Sequence, residues 1–138
     1  MTFGRESFPT RGRLLLAAVA CALLGAACKL TEPTPEFDFR HDISPTPAVV
    51  GRPATVSLKL TDFLASKPVS GARIQLEGNM THPGMAPVFA EAKEDGPGRY
   101  HATLEFTMAG DWVVLVRAAL PDGRKTDRHF DVKVVPAD

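Results

Sequence analysis

The stretch Tyr100-His101-Ala102-Thr103-Leu104-Glu105-Phe106 alternates apolar and polar side chains without interruption. Successive side chains of an extended chain point to opposite faces, so Tyr100, Ala102, Leu104 and Phe106 share one face of a strand. The same period of two recurs on both sides of it. Val56, Leu58 and Leu60 alternate with Ser57, Lys59 and Thr61, and Ile74 and Leu76 with Gln75 and Glu77. Trp112, Val114 and Val116 follow, and Phe130, Val132 and Val134 alternate with Asp131 and Lys133. One polar and one apolar face, repeated strand after strand, is the pattern of an antiparallel sheet lying over a core.

Turn-forming residues separate these runs: Thr61-Asp62, Ser70-Gly71, Asp95-Gly96-Pro97-Gly98, Ala109-Gly110-Asp111 and Pro121-Asp122-Gly123. Strands are predicted near 37–43, 47–51, 54–61, 71–78, 88–93, 99–107, 111–119 and 126–135, one of them reduced to a bridge. The fold class is therefore all-β, an immunoglobulin-like antiparallel β-sandwich of about seven strands. The cysteine and tryptophan spacing of true immunoglobulin domains is absent. Trp112 is expected in the core beneath the loops at one end.

Ahead of the strands the chain changes character. Arg5, Arg11 and Arg13 precede the uncharged run Leu14–Ala27, which has the layout of an export signal and is too short for a comfortable membrane span. Residues 1–27 are read as a signal peptide, Cys28 as the lipidated first residue of the mature chain, 28–36 as a tether and 37–138 as the folded domain. Gly25 stands where lipoprotein signals carry a larger aliphatic residue; ordinary cleavage nearby and a retained anchor are the alternatives. The reading places the domain outside the cytoplasm, held at the membrane on the periplasmic side or at the cell surface.

Both cysteines lie at or before position 28, so the folded part has no disulfide and no thiol ligand. Without residues 1–27, 13 basic and 15 acidic residues remain. That balance offers nothing to nucleic acid. The run Glu91-Ala92-Lys93-Glu94-Asp95 lacks the regular oxygen spacing of a calcium loop and reads as solvated surface.

The unusual segment is Gly78-Asn79-Met80-Thr81-His82-Pro83-Gly84-Met85-Ala86-Pro87. Methionine is ordinarily a gap-filler in cores, yet of the four methionines, Met80, Met85 and Met108 all fall outside the predicted core-facing strand positions. Pro83-Gly84 fits the centre of a type II turn, which brings the Cα atoms of His82 and Met85 within about 7 Å. If strand 71–78 runs up to this loop, strand 88–93 runs down and strand 99–107 climbs again. Met108 is then delivered to the same end as Met80, His82 and Met85. Neutral thioethers with one imidazole favour Cu(I) over zinc, calcium or magnesium, and need no deprotonation. The competing reading makes the methionines apolar caps over the sandwich end. His41, His101 and His129 are read as surface or strand residues without a metal role.

Met80-Thr81-His82-Pro83-Gly84-Met85, Gly98-Arg99-Tyr100 and Phe106-Thr107-Met108-Ala109-Gly110-Asp111-Trp112 together resemble the YtkA-like family, and more loosely the FixH-like and copper-resistance sandwich proteins. The likeness covers roughly residues 45–135. It implies an exported, tethered immunoglobulin-like domain linked to copper handling, with ligands on His82, Met85 and Met108 and Met80 as an additional or exchange ligand. Some relatives use a copper(II) site containing the mature N-terminal amine and a histidine; here no histidine precedes His41.

The resulting expectation is a monomeric, membrane-tethered Cu(I) carrier that delivers to, or protects, a membrane-bound copper acceptor or donor such as a respiratory oxidase. The alternative is a metal-free envelope interaction domain using the same loops. No arrangement of nucleophile, base and acid suggests an enzyme.

Overall fold

The computed structural model describes residues 36–138. The expected signal peptide, the lipidated Cys28 and all of the tether except Glu36 lie outside the described residues. Nine strands follow in order: β1 Phe37–Ser44, β2 Ala48–Val49, β3 Pro53–Asp62, β4 Lys67–Pro68, β5 Arg73–Met80, β6 Val88–Gly96, β7 Arg99–Glu105, β8 Gly110–Ala119 and β9 Lys125–Val135.

The alternation read from the sequence sets which side chains face inward. Ala54, Val56, Leu58 and Leu60 of β3, Tyr100, Ala102 and Leu104 of β7, and Trp112, Val114 and Val116 of β8 are all buried. Their outward neighbours Thr55, Ser57, Lys59 and Glu105 stay exposed. Removing this much apolar surface from water is the main favourable term in such a fold. The one phenol in the core is satisfied: Tyr100 donates its hydroxyl to the carbonyl of Val69 at 2.7 Å and accepts the N–H of Ala72 at 3.1 Å. Burial holds that phenol above its ordinary pKa.

The strand order is β1-β3-β7-β6-β5-β8-β9-β2, with β4 added to β3. This corrects the seven-strand, wholly antiparallel sandwich expected from the sequence. The molecule is broadly immunoglobulin-like, but it is a nearly closed, mixed sheet of nine strands. Three features account for the difference. After β1, antiparallel to β3, the chain crosses to β2, which pairs in parallel with β9. Strand β6 pairs with β5 through Val88–Ala92 and with β7 through Lys93–Gly96, so one strand joins the two halves across a register shift near Glu94. Strand β4 is two residues long and carries no periodicity to read. Alternation reports the face of a strand, not its neighbour.

The pairing gives the domain two ends. At one, the β5–β6 loop, the β7–β8 loop and the β2–β3 turn lie together: Met80 is opposite Trp112, and Gly51 donates its N–H to Phe106 O at 2.9 Å. At the other, Phe37 is opposite Asp62 and Arg73 is opposite Ala119. The described chain therefore enters the fold at the end away from the methionine loops.

Candidate metal centre

The floor of the loop-bearing end is aromatic. Trp112 and Phe106 are fully buried and meet edge to face with ring centroids 5.2 Å apart. Gly78 makes room for them: a Cβ there would stand 2.8 Å from Val88 Cγ2 and within 4 Å of both rings. Trp112 also governs the loop above it, because its indole N–H donates to the carbonyl of Met108 at 3.0 Å. A buried indole seeks such a partner, and here the partner is the backbone that carries a candidate ligand.

The two methionine loops are fastened to each other. After Met80 the backbone N–H of Thr81 donates to Asp111 O at 3.0 Å, and its hydroxyl donates to the same oxygen at 3.1 Å. The methyl of Met80 lies 2.6 Å from where a Cβ on Gly110 would stand, so that side chain rests on the end of the β7–β8 loop. Gly110 has φ 140°, which suits glycine and few other residues. In the other loop Gly84 has φ 88°, as the predicted type II turn at Pro83-Gly84 requires.

The four candidate donors differ in setting. His82 is exposed, Met85 half-buried and Met108 exposed to 45% of its surface. Met80 departs from expectation. It is not a loop residue clear of the core but the last residue of β5, on the inward face with Ile74 and Leu76, half-buried and packed against the core cluster. Pairing across to Trp112 extends the strand two residues beyond its predicted end.

Beside these loops a shallow depression of about 440 Å³ is lined by Thr81, Asp111, Trp112, Asp131, Val132 and Lys133. Met80, Met85 and Met108 do not line it. Among the described residues no three His, Cys, Asp or Glu side chains gather to hold a metal ion. The donors grouped at this end are thioethers and one imidazole. Elsewhere, His101 meets Asp95 at 3.2 Å and His41 stacks on Phe130 with centroids 4.0 Å apart.

Thr81, Asp111 and Gly110 also build the site by holding the loops in register; the turn at Ala109-Gly110-Asp111 was legible in the sequence, the contact of Thr81 with Asp111 was not. Asp111 is further tied by Lys133 at 2.8 Å.

Fold and site together define a small β-sandwich bearing soft donors on joined loops at one end. The chain belongs to the YtkA-like family, whose defining pattern matches residues 37–117. The family is linked to envelope copper handling, is typically extracytoplasmic and membrane-anchored, and consists of small non-catalytic domains. Among solved structures, a DUF4426 family protein from Pseudomonas aeruginosa PAO1 is similar at TM-score 0.56 and 10% identity, over 78% of this chain and 97% of that one. The Lin-41 filamin domain is similar at TM-score 0.53 and 14% identity, over 72% of this chain and 92% of that one. Superoxide reductase (neelaredoxin) from Ignicoccus hospitalis is similar at TM-score 0.51 and 12% identity, over 70% and 80%. In other matches the chain spans a small part of a longer protein, 16% of one and 29% of another. At these identities the likeness is one of fold alone. No curated protein matches the sequence.

Proposed function

We propose that this protein is a membrane-tethered, extracytoplasmic Cu(I) carrier, with copper as cargo held by His82, Met85 and Met108. It delivers copper to, or protects from it, a membrane-bound partner such as a respiratory oxidase. Met80 serves as a packed support for the loops and as an additional ligand. The observation that carries this reading is the fastening of the two donor-bearing loops through Thr81, Asp111, Met80 and Gly110.

The donor chemistry fits the cargo. Thioether sulfur is soft and neutral, and imidazole is intermediate, so the set selects a soft monovalent ion over hard cations. Exposure of His82 and Met108 leaves them open to a partner, which can supply a donor of its own as one of these ligands leaves. The metal then passes without being released. A tether at Cys28 confines the search to the membrane face and raises the local concentration of carrier near its partner.

The test is Cu(I) competition against a colorimetric chelator, with wild type, His82→Ala, Met85→Ala and Met108→Ala compared. Wild type is expected to bind one ion, and each substitution to weaken binding by about tenfold or more, the scale of losing one good interaction. Stoichiometric binding of unchanged strength in the His82→Ala/Met85→Ala double variant would remove the proposed site.

A further inference from the structure

We infer that the end of the domain opposite the methionine loops is a docking surface for the lipid interface that carries the anchor. The inference rests on the reading of Cys28 as the anchored residue, and deepens it by naming the protein surface that meets the membrane.

Phe63 and Leu64 form the tip of the turn between β3 and β4, and are exposed to 51% and 79%. Two adjacent large apolar side chains at a loop tip call for a cover. Glu36, the first described residue, is bound to this very turn: its carbonyl accepts the N–H of Phe63 at 2.9 Å. Its carboxylate pairs with Arg124, which also reaches Asp122 at 2.7 Å and Asp62 at 3.4 Å. Asp62 in turn accepts the N–H of Ala65 at 2.8 Å. The apolar tip is thus clamped to the point where the chain from Cys28 enters the fold.

Chain length says what covers it. Eight peptide steps separate Cys28 from Glu36, a span of at most about 28 Å however they are arranged. An acyl chain on Cys28 holds this end within that distance of the bilayer. The methionine loops stand farther off by the length of a ten-residue strand, about 34 Å. Lys67 is exposed beside the tip, and Arg73 and Lys125 line a depression of about 380 Å³ at the same end, with Asp127 as its one acid. The acids nearest the tip, Glu36, Asp62 and Asp122, are paired with Arg124, and apolar side chains with Lys67 beside them suit the boundary between acyl chains and headgroups.

The test uses the full chain as processed in cells, purified and placed in vesicles of three parts phosphatidylcholine to one part phosphatidylglycerol. In Leu64→Trp the added indole is expected to shift to the blue and to be quenched by brominated lipid. In Pro83→Trp, at the opposite end, it should do neither, and Trp112 is buried in both. An unquenched, water-like Leu64→Trp overturns the inference. So does a blue shift in native membranes that is absent from pure lipid, which would assign the tip to a protein partner. Mass spectrometry of Cys28 judges the anchor separately. If no acyl group is present, the same chain is pelleted with the same vesicles. Phe63→Ser/Leu64→Ser should then leave about tenfold less bound, and Lys67→Glu about fivefold less on anionic vesicles only. Equal pelleting of the unacylated wild type and the unacylated Phe63→Ser/Leu64→Ser variant overturns the docking surface.

Discussion

Replacing Trp112 and Met108 separately by alanine, in protein freed of metal, separates the core from the site. The Trp112 ring is fully buried against Phe106. An aromatic side chain buries about 150–250 Å², and at about 25 cal/mol per Å² its transfer to water costs roughly 4–6 kcal/mol as an upper bound. Measured aromatic-to-alanine losses in cores, about 3–5 kcal/mol, set the expectation. Loss of the part-buried indole N–H to Met108 O bond falls within that range, since one such bond contributes about 1 kcal/mol. Met108, exposed to 45%, has roughly half the burial of a core methionine, and its truncation leaves a site water can fill. Its cost is about 1 kcal/mol. For a domain of about 100 residues each kcal/mol moves the melting temperature by about 4–8 °C, so Trp112→Ala should lower Tm by about 15–30 °C and Met108→Ala by less than about 8 °C. Circular dichroism melts with a copper chelator present measure both. Should Trp112→Ala fail to fold, Trp112→Phe keeps most of the ring and removes the donor, at about 1–2 kcal/mol. Equal losses for Met108 and Trp112, or a larger one for Met108, would refute the division between floor and site.

Met80→Ala should cost the metal-free protein about 1–3 kcal/mol in a chemical denaturation series, more than Met108→Ala, because Met80 packs on the core and on Gly110. Gly84→Ala forces a side chain into a φ of 88° and should weaken Cu(I) binding several-fold through the displaced His82–Met85 turn, while lowering stability by about 1–2 kcal/mol. Acid should destabilise the fold through carboxylates held below their ordinary pKa, the half-buried Asp62 by the Ala65 N–H and Glu77 by Arg117, the exposed Glu94 by the Gly71 N–H and Asp122 by the Arg124 N–H. Their folded values lie below the unfolded ones, so this stability is complete above the unfolded pKa and lost as pH falls through the folded pKa. Tm should be level from about pH 8 to 5.5 and decline below about 4.5, with Glu94→Gln reducing the decline; a Tm that rises on acidification would contradict it.

The inward faces were legible because burial and period coincide. Tyr100, Leu104, Trp112 and Val114 are where alternation puts them, and Gly84 has the positive φ that its place after Pro83 demands. Met80 was misread for a reason the same rule exposes. Counting by two from Ile74 through Leu76 and Gly78 puts Met80 on the inward face, but Gly78-Asn79 resembles the start of a turn and hides the last pair of β5. The parallel pairing of β2 with β9, the division of β6 between two partners and the stacking of His41 on Phe130 depend on which strands become neighbours. No local pattern encodes those neighbours. The clamp of Glu36 to the Phe63 turn was invisible for the same reason, since its partners lie far apart in sequence.

The separation of the two ends explains why so sparse a site can sit on so ordinary a core. Nothing in β3, β7 or β8 needs a soft donor, because the inward positions are filled by aliphatic and aromatic side chains that account for stability alone. The loops are then free to carry groups that the core would never require, provided something fixes their spacing. Here that is a small set of contacts: Thr81 to Asp111, Met80 over Gly110, and Trp112 beneath Met108. Of these Trp112 is fully buried in the core, and Met80 packs against it from the end of β5. A change at either should disturb stability and loop position together, whereas His82, Met85, Phe63 and Leu64 lie beyond the core at opposite ends. Substitutions at the two ends should therefore combine additively in stability, within about 0.5 kcal/mol. A non-additive pair such as Met85→Ala with Leu64→Ser would mean that the sheet between them transmits strain, and the picture of two independent ends on a rigid spacer would fail.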